Sequence, residues 1–253
     1  MIRGLYTAAT GMMVQRSKMD VLTNNIVNAE TTGYKNDTLV SSAFDSVMLQ
    51  RIDDPNISVV GTDVGKYSFG THVDEMVTDF SQGPIEDTGR STDLALTGDG
   101  FFAVETPDGE RYTRAGNFTV NAQGYLVTED GNFVLGKNGR IYVGSSDFSV
   151  SSDGTVTGSK AVTDQLRLVS FTDNKNLRKQ GDNLYYAYGG EQPAETNGCH
   201  VQQGAQESSN VEAADSMVDM MTIYRKYEAC QKAVTMNDET LGLAVNKLGR
   251  LGG

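Results

Sequence analysis

The sequence predicts an α+β protein: long N- and C-terminal helices pack as a coiled coil, and the middle of the chain forms an antiparallel β-rich domain. Three observations lead there. The only prolines are Pro55, Pro84, Pro107 and Pro193, so residues 1–54 and 194–253 contain none. Proline breaks a helix interior at about 3 kcal/mol, and both ends are free of that penalty. Both ends also carry apolar residues seven apart, whereas the middle is punctuated by turn signals. The chain divides into an N-terminal helix and motif (1–33), an extended connecting segment (34–69), a β-rich domain (70–208) and a C-terminal helix (209–253).

In the first segment Leu5, Met12, Met19 and Ile26 are seven apart, with Ala8, Gln15 and Leu22 three positions further on. Six of these seven are apolar, which is the seam of a heptad helix. Asn24, Asn25, Asn28, Thr31 and Thr32 then favour turns and caps over helix interior, and Gly33 is placed to follow the last helical turn.

The middle carries Pro107-Asp108-Gly109, Asn121-Ala122-Gln123-Gly124, Glu129-Asp130-Gly131-Asn132, Lys137-Asn138-Gly139 and Ser152-Asp153-Gly154. Between them lie β-favouring runs at Phe101 to Val104, Phe118 to Val120, Tyr125 to Val127 and Leu166 to Phe171. Closely spaced turns between short strands read as antiparallel hairpins. Gly98-Asp99-Gly100-Phe101-Phe102-Ala103 fits the dinucleotide pattern in letters, but a strand-like run follows it where a helix N-terminus is needed. It reads as a tight turn into a buried strand.

The last segment opens with Ser209-Asn210-Val211-Glu212, which has capping-box spacing. A second seam follows at Met220, Tyr227, Val234, Leu241 and Leu248, with Ile223, Cys230, Asn237, Ala244 and Leu251 three residues after each. Asn237 is the one polar member of the ten. A single helix over residues 211–251 would extend about 60 Å, against a diameter of about 46 Å for a compact sphere of this length. Either the helix breaks near Gly242, or its seam is covered by the N-terminal helix and by other chains. An elongated subunit whose ends oligomerise follows from the second option, because exposed Leu, Met and Val side chains forfeit about 1.5–3 kcal/mol each.

Chemistry is sparse. The formal charge of −12 and pI near 4.6 argue against nucleic acid as a partner. No apolar run of membrane-spanning length exists, and Arg3 is not followed by the apolar core of a secretory signal, so neither a spanning helix nor a cleaved leader is expected. Two cysteines permit one disulfide at most, and Cys230 reads as a buried helical thiol. His72 and His200 are the only histidines, far apart and without metal-ligand spacing. Neither a nucleophile elbow nor a phosphate loop is present, and Asp53-Asp54 and Asp215/Asp219 read as solvated acids. No catalytic residue, cofactor or metal ligand is assigned.

The run Asn24-Asn25-Ile26-Val27-Asn28-Ala29-Glu30-Thr31-Thr32-Gly33-Tyr34-Lys35 resembles the N-terminal signature of bacterial flagellar axial proteins, the rod, hook and hook-associated group. Thr23 and Val27 stand where that signature has alanine. Asp93 to Phe102 with Tyr112-Thr113-Arg114-Ala115-Gly116-Asn117-Phe118 is similar to the group's central β signature. Ser209-Asn210-Val211, Met217 to Met221 and Arg225 to Ala229 are similar to its C-terminal helix, with Tyr224 where Gln often precedes the arginine. The resemblance implies a non-enzymatic subunit of the rod, the distal rod before a proximal or hook-type paralogue. It further implies helical self-assembly into a torque-transmitting tube around an export channel. The partners it implies are further copies of the chain, other rod proteins, the hook protein, the flagellar export apparatus and, where an outer membrane is present, the surrounding rings. The location it implies is the flagellar basal body, reached without a cleaved signal. The alternative from another class is a secreted β-rich enzyme or glycan-binding module.

Overall fold

The structure, a computed structural model, describes residues 2–51, 62–158, 163–189, 192–196 and 198–248. The chain divides into two compact units. One comprises Met1–Ile26, Asp37–Val77 and Ala213–Gly253; the other comprises Val27–Asn36 and Thr78–Glu212.

The first unit contains both long helices, α1 (Ile2–Val27) and α2 (Ala213–Leu243). Helix α1 carries no proline, and its Ala, Met and Leu residues are strong helix formers, although Ile, Val and Thr are as frequent, so tertiary cover as well as propensity holds it. The helix stops where Asn28 accepts from the Thr31 N–H in a turn. Near that end Asn25 is buried, and its side chain copies a strand pairing: Nδ2 donates to Asp37 O at 2.8 Å and Oδ1 accepts from Asp37 N at 3.1 Å. Asp37 opens the strand Asp37–Ala43, which pairs with Thr71–Thr78, and a second antiparallel ribbon joins Val47–Arg51 to Thr62–Tyr67. Phe44 stacks on His72 at 4.9 Å, and His72 Nε2 lies 3.1 Å from Ser42 Oγ.

The coiled coil expected between the terminal helices is overturned. A knobs-into-holes seam buries its core positions, yet among the described residues the buried ones are Val14 and Asn25 on α1 and Ser216 on α2. Two glycines of α1 lie close to α2. There, a Cβ on Gly11 would lie 3.3 Å from Cys230 Sγ, and one on Gly4 would lie 3.7 Å from Asn237 Oδ1. These two contacts run antiparallel, through glycines one position ahead of Leu5 and Met12. The physical reason is the distribution of apolar residues. Met217, Val218, Met221, Tyr224, Met236 and Leu243 are exposed in addition to the seam, so α2 is apolar over a band too broad for one partner helix to cover. Cys230, expected buried, is half-buried and free, and Cys199 is free and buried. The α-helix ends at Leu243, just after Gly242, and continues as a π-helical turn over Ala244–Leu248.

The second unit is built on one large antiparallel sheet. Its central strand Phe101–Thr106 pairs on one side with Gly109–Thr113, which leads outward to Leu184–Ala187 and Leu177–Gly181. Two strands share the other side: Leu168–Ser170 pairs at Phe101 and Phe102, and Phe133–Gly136 pairs at Val104 and Glu105. Successive side chains of a strand point to opposite faces. Phe102 and Val104 enter a core with Leu94, Leu96, Phe118, Leu126 and Ile141, while Phe101 and Ala103 enter another with Tyr112, Val169, Phe171 and Tyr185. A strand buried on both faces has no polar alternation, which is why it reads as a continuous apolar run. It follows the Gly98-Asp99-Gly100 turn directly, in place of the helix that a dinucleotide site requires.

Smaller pairings complete the unit: His200–Gln203 with Leu94–Thr97, and Ala205–Glu207 with Ile85–Asp87. Ser209 does not form the expected capping box. Its Oγ accepts from the Val211 N–H at 3.2 Å, and α2 begins only at Ala213.

Candidate functional site

The helical positions singled out in the sequence lie in the first unit. Leu5, Met12, Met19, Leu22 and Ile26 on α1, and Met220, Ile223, Tyr227, Val234 and Leu241 on α2, are all half-buried. On α1 Ala8, Ala9, Thr10, Gln15 and Lys18 are half-buried as well, while Tyr6, Met13 and Val27 stay exposed. The Leu248 side chain lies outside the described residues.

The motif residues divide between the units. Asn24 is exposed on α1, and Asn25 holds Asp37 as described above. Asn28 accepts from Thr31 Oγ1 through Oδ1 at 3.2 Å. Gly33 and Tyr34 belong to the second unit, where they enter a buried polar clasp that sequence reading missed.

The clasp begins at Gly33, whose φ of +67° is the left-handed region that glycine adopts freely. A Cβ there would lie 2.6 Å from Ala115 N, so this backbone packs directly on the Arg114-Ala115 peptide. The Gly33 N–H donates to Glu207 O at 2.7 Å, and Asn183 Nδ2 donates to Thr32 O at 2.8 Å. Lys179 covers the next residue, with Nζ 4.1 Å from the Tyr34 ring centre and donating to Lys35 O at 2.6 Å.

Three charged side chains form its centre. Lys35 Nζ donates to Glu207 Oε1 at 2.6 Å and to Ser81 O at 2.7 Å. Arg114 Nη1 lies 3.3 Å from Glu207 Oε2, and Nη2 donates to Gly98 O at 2.7 Å. The Gly83 N–H donates to Glu207 Oε1 at 2.9 Å. These side chains are 0%, 0% and 2% exposed for Lys35, Glu207 and Arg114. Burial pushes the Lys35 ammonium below the ordinary lysine range, against the opposing pull of the Glu207 carboxylate. Asn210 finishes the arrangement, accepting from Asn36 N at 2.8 Å and donating to Asp79 O at 2.9 Å. The clasp's charged side chains are engaged with one another and with backbone carbonyl and N–H groups. It fastens the segment after α1 and the segment before α2 onto the β body.

One signal for the clasp is present in the sequence. In Ala205–Glu207 the side chains alternate, which places an acid on the same face as Ala205. An acid on an inward face requires a buried cation.

Comparison with known proteins gives three family matches along the chain. Residues 5–35 match the family described as flagella basal body rod protein, residues 95–158 the flagellar hook protein FlgE/F/G D1 domain, and residues 202–247 the flagellar basal body rod FlgEFG protein C-terminal region. The flagellar basal-body rod protein FlgG of Bacillus subtilis is 33% identical over 261 residues, covering 97% of this chain and 99% of its own. The chain belongs to the flagellar basal-body rod protein family. Other relatives are the rod protein FlgF of Caulobacter vibrioides, 33% identical with 99% and 100% coverage, and the hook-basal body complex protein FlhO of Bacillus subtilis, 32% identical with 99% and 100% coverage. This rod protein is accordingly a structural subunit of the flagellum, located in the basal body, and not an enzyme. It associates with other components of the rod and hook-basal body complex. Each clasp charge falls in a different family match: Lys35 in the first, Arg114 in the second and Glu207 in the third.

Proposed function

We propose that this rod subunit assembles helically with further copies of itself through α1 and α2, forming the tubular shaft that carries torque toward the hook. The observation that supports this reading is the exposed apolar band of the helices: Tyr6 and Met13 on α1, and Met217, Val218, Met221 and Tyr224 on α2. Covering such side chains gains about 1.5–3 kcal/mol each, and a monomer leaves that gain unrealised. The β body holds the two chain segments from which the helices depart. Neighbouring rod proteins and the hook protein adjoin the ends of the shaft, rings surround it where an outer membrane exists, and the flagellar export apparatus delivers the subunit. Nucleic acid has no part in it. Within the family we assign the chain to the distal rod.

Electron microscopy of the concentrated protein tests the assembly. Straight tubes are expected, and Met221→Asp combined with Tyr224→Asp should abolish them while the β body stays folded. Discrete monomers at every concentration would overturn it, and curved tubes would move the assignment to the hook. The distal assignment is tested by expression in Bacillus subtilis: restored motility in a strain lacking FlgG, with none in a strain lacking FlhO, is expected.

A further inference from the structure

The ribbon that joins Asp37–Ala43 to Thr71–Thr78 is a two-stranded sheet, an element that is marginal in water without cover. Successive side chains of a strand alternate between faces, so Val73, Glu75 and Val77 share one face, and all three are exposed. That face reads apolar, acidic, apolar. Asp74 and Met76, on the opposite face, are exposed as well, and neither strand carries a lysine or an arginine.

Helix α1 presents the complementary surface. Gly4 and Gly11 are its approach to α2. Tyr6 and Met13 lie two residues further on, about 200° round the helix, where both are exposed. Arg16 is exposed one turn after Met13 and Arg3 one turn before Tyr6, and Asp20 is the exposed acid of the helix. In a chain of formal charge −12, the exposed charges of α1 come to +1 and those of the ribbon to −2. The lengths agree too: Tyr6 to Asp20 spans about 21 Å along the helix, and Thr71 to Val77 about 20 Å along the strand.

We infer that the exposed line of α1 in one copy lies on the ribbon face of Val73, Glu75 and Val77 in the next copy, with Arg16 against Glu75 and Met13 against a flanking valine. Asp20 finds no base in the ribbon, which places Arg16 rather than Asp20 over the acid. This rests on the reading that copies assemble, and adds which surface of the neighbour receives α1.

The test uses the full-length chain, with electron microscopy and sedimentation giving the critical concentration for tubes. Arg16→Glu and Glu75→Arg should each raise it at least about fivefold, and the two together should bring it back toward the parent. The first takes the formal charge from −12 to −14 and the second to −10, so an effect of net charge alone would move them in opposite directions. A second measurement is independent of charge. In a Cys230→Ser background, Met13→Cys copies mixed with Val73→Cys or Val77→Cys copies should give a disulfide-linked dimer on oxidation, with none from any variant by itself. Parent tubes with both charge variants assembling like the parent, a double variant no better than the worse single one, or no linked dimer in mixed tubes would overturn this inference and leave the assembly reading standing. Met13→Cys linking to itself would place α1 on α1 and overturn it as well. A parent that forms no tubes overturns the assembly reading, and this inference with it.

Discussion

Replacing Glu207 by Gln removes one negative charge from between two buried cations and leaves the side-chain volume almost unchanged. In the parent, Oε1 accepts from Lys35 Nζ and Gly83 N, and Oε2 faces Arg114 Nη1. A glutamine can accept from the first pair, but its NH₂ then confronts the guanidinium, so Arg114 loses its carboxylate and Lys35 its counter-charge. Breaking a buried ion pair by removing one partner costs about 3–5 kcal/mol, a large part of a total of about 5–15 kcal/mol. For a domain of this size each kcal/mol moves the midpoint by about 2–4 °C, so the thermal transition of the β signal should fall by about 6–20 °C. Circular dichroism of dilute protein measures it. The control is Glu105→Gln, which breaks the Arg140–Glu105 pair at 2.6 Å, 48% and 40% exposed, and should leave the transition where it is. Adding Lys35→Met to Glu207→Gln removes one of the two orphaned cations and should recover part of the loss. A Glu207→Gln transition within about 2 °C of the parent, or a double variant that loses the sum of two single losses, would refute the clasp as a coupled charge cluster.

Two further outcomes are expected. Gly33→Ala combines a left-handed backbone with a Cβ 2.6 Å from backbone atoms. It should lower stability by more than about 2 kcal/mol in urea unfolding, whereas Gly131→Ala, also at positive φ but with open space around it, should lower it by only about 1 kcal/mol. Burial, followed by the Glu110 carboxylate, pushes the Tyr112 phenol from 10.0 up to about 12. The folded state thus holds this proton more tightly than the unfolded chain. The resulting stability, roughly 3 kcal/mol, is intact below pH 10 and disappears as pH rises to about 12. Tyr112→Phe should flatten that part of the stability profile, and an unchanged alkaline slope would exclude Tyr112 as its source.

Local signals were legible in the sequence wherever a few neighbouring residues decide the outcome. Asn121 was readable as a turn former, and its Oδ1 accepts from the N–H groups of Gln123 and Tyr125. The run Phe101 to Val104 was readable as a buried strand for the same reason. The heptads were readable as helices, but their partners were not. A seven-residue repeat records that one line of a helix is apolar, and it does not record that Met217, Val218, Met221 and Tyr224 make a second line beside it. The clasp was hidden for a different reason. Lys35 and Arg114 were visible within motifs, yet a buried ion pair has no local spacing to read, and Glu207 lies 172 residues from Lys35. Ser209 shows the limit from the other side: the spacing to Glu212 fits a cap, but the shorter turn to Val211 forms instead.

That long separation makes the clasp a test of whether the chain reaches Glu207. Closing a loop of this span costs about 4–5 kcal/mol in chain entropy, which the central hairpins have no need to meet. They can form early, from neighbours, while Lys35 and Arg114 wait for a carboxylate 93 residues beyond Arg114. A polypeptide ending before Ala205 keeps the strands of the large sheet but has two buried cations and no anion between them. The segments flanking the helices are therefore fastened only where Lys35, Arg114 and Glu207 stand in one chain, so the clasp separates a polypeptide that reaches Glu207 from one that stops short of it.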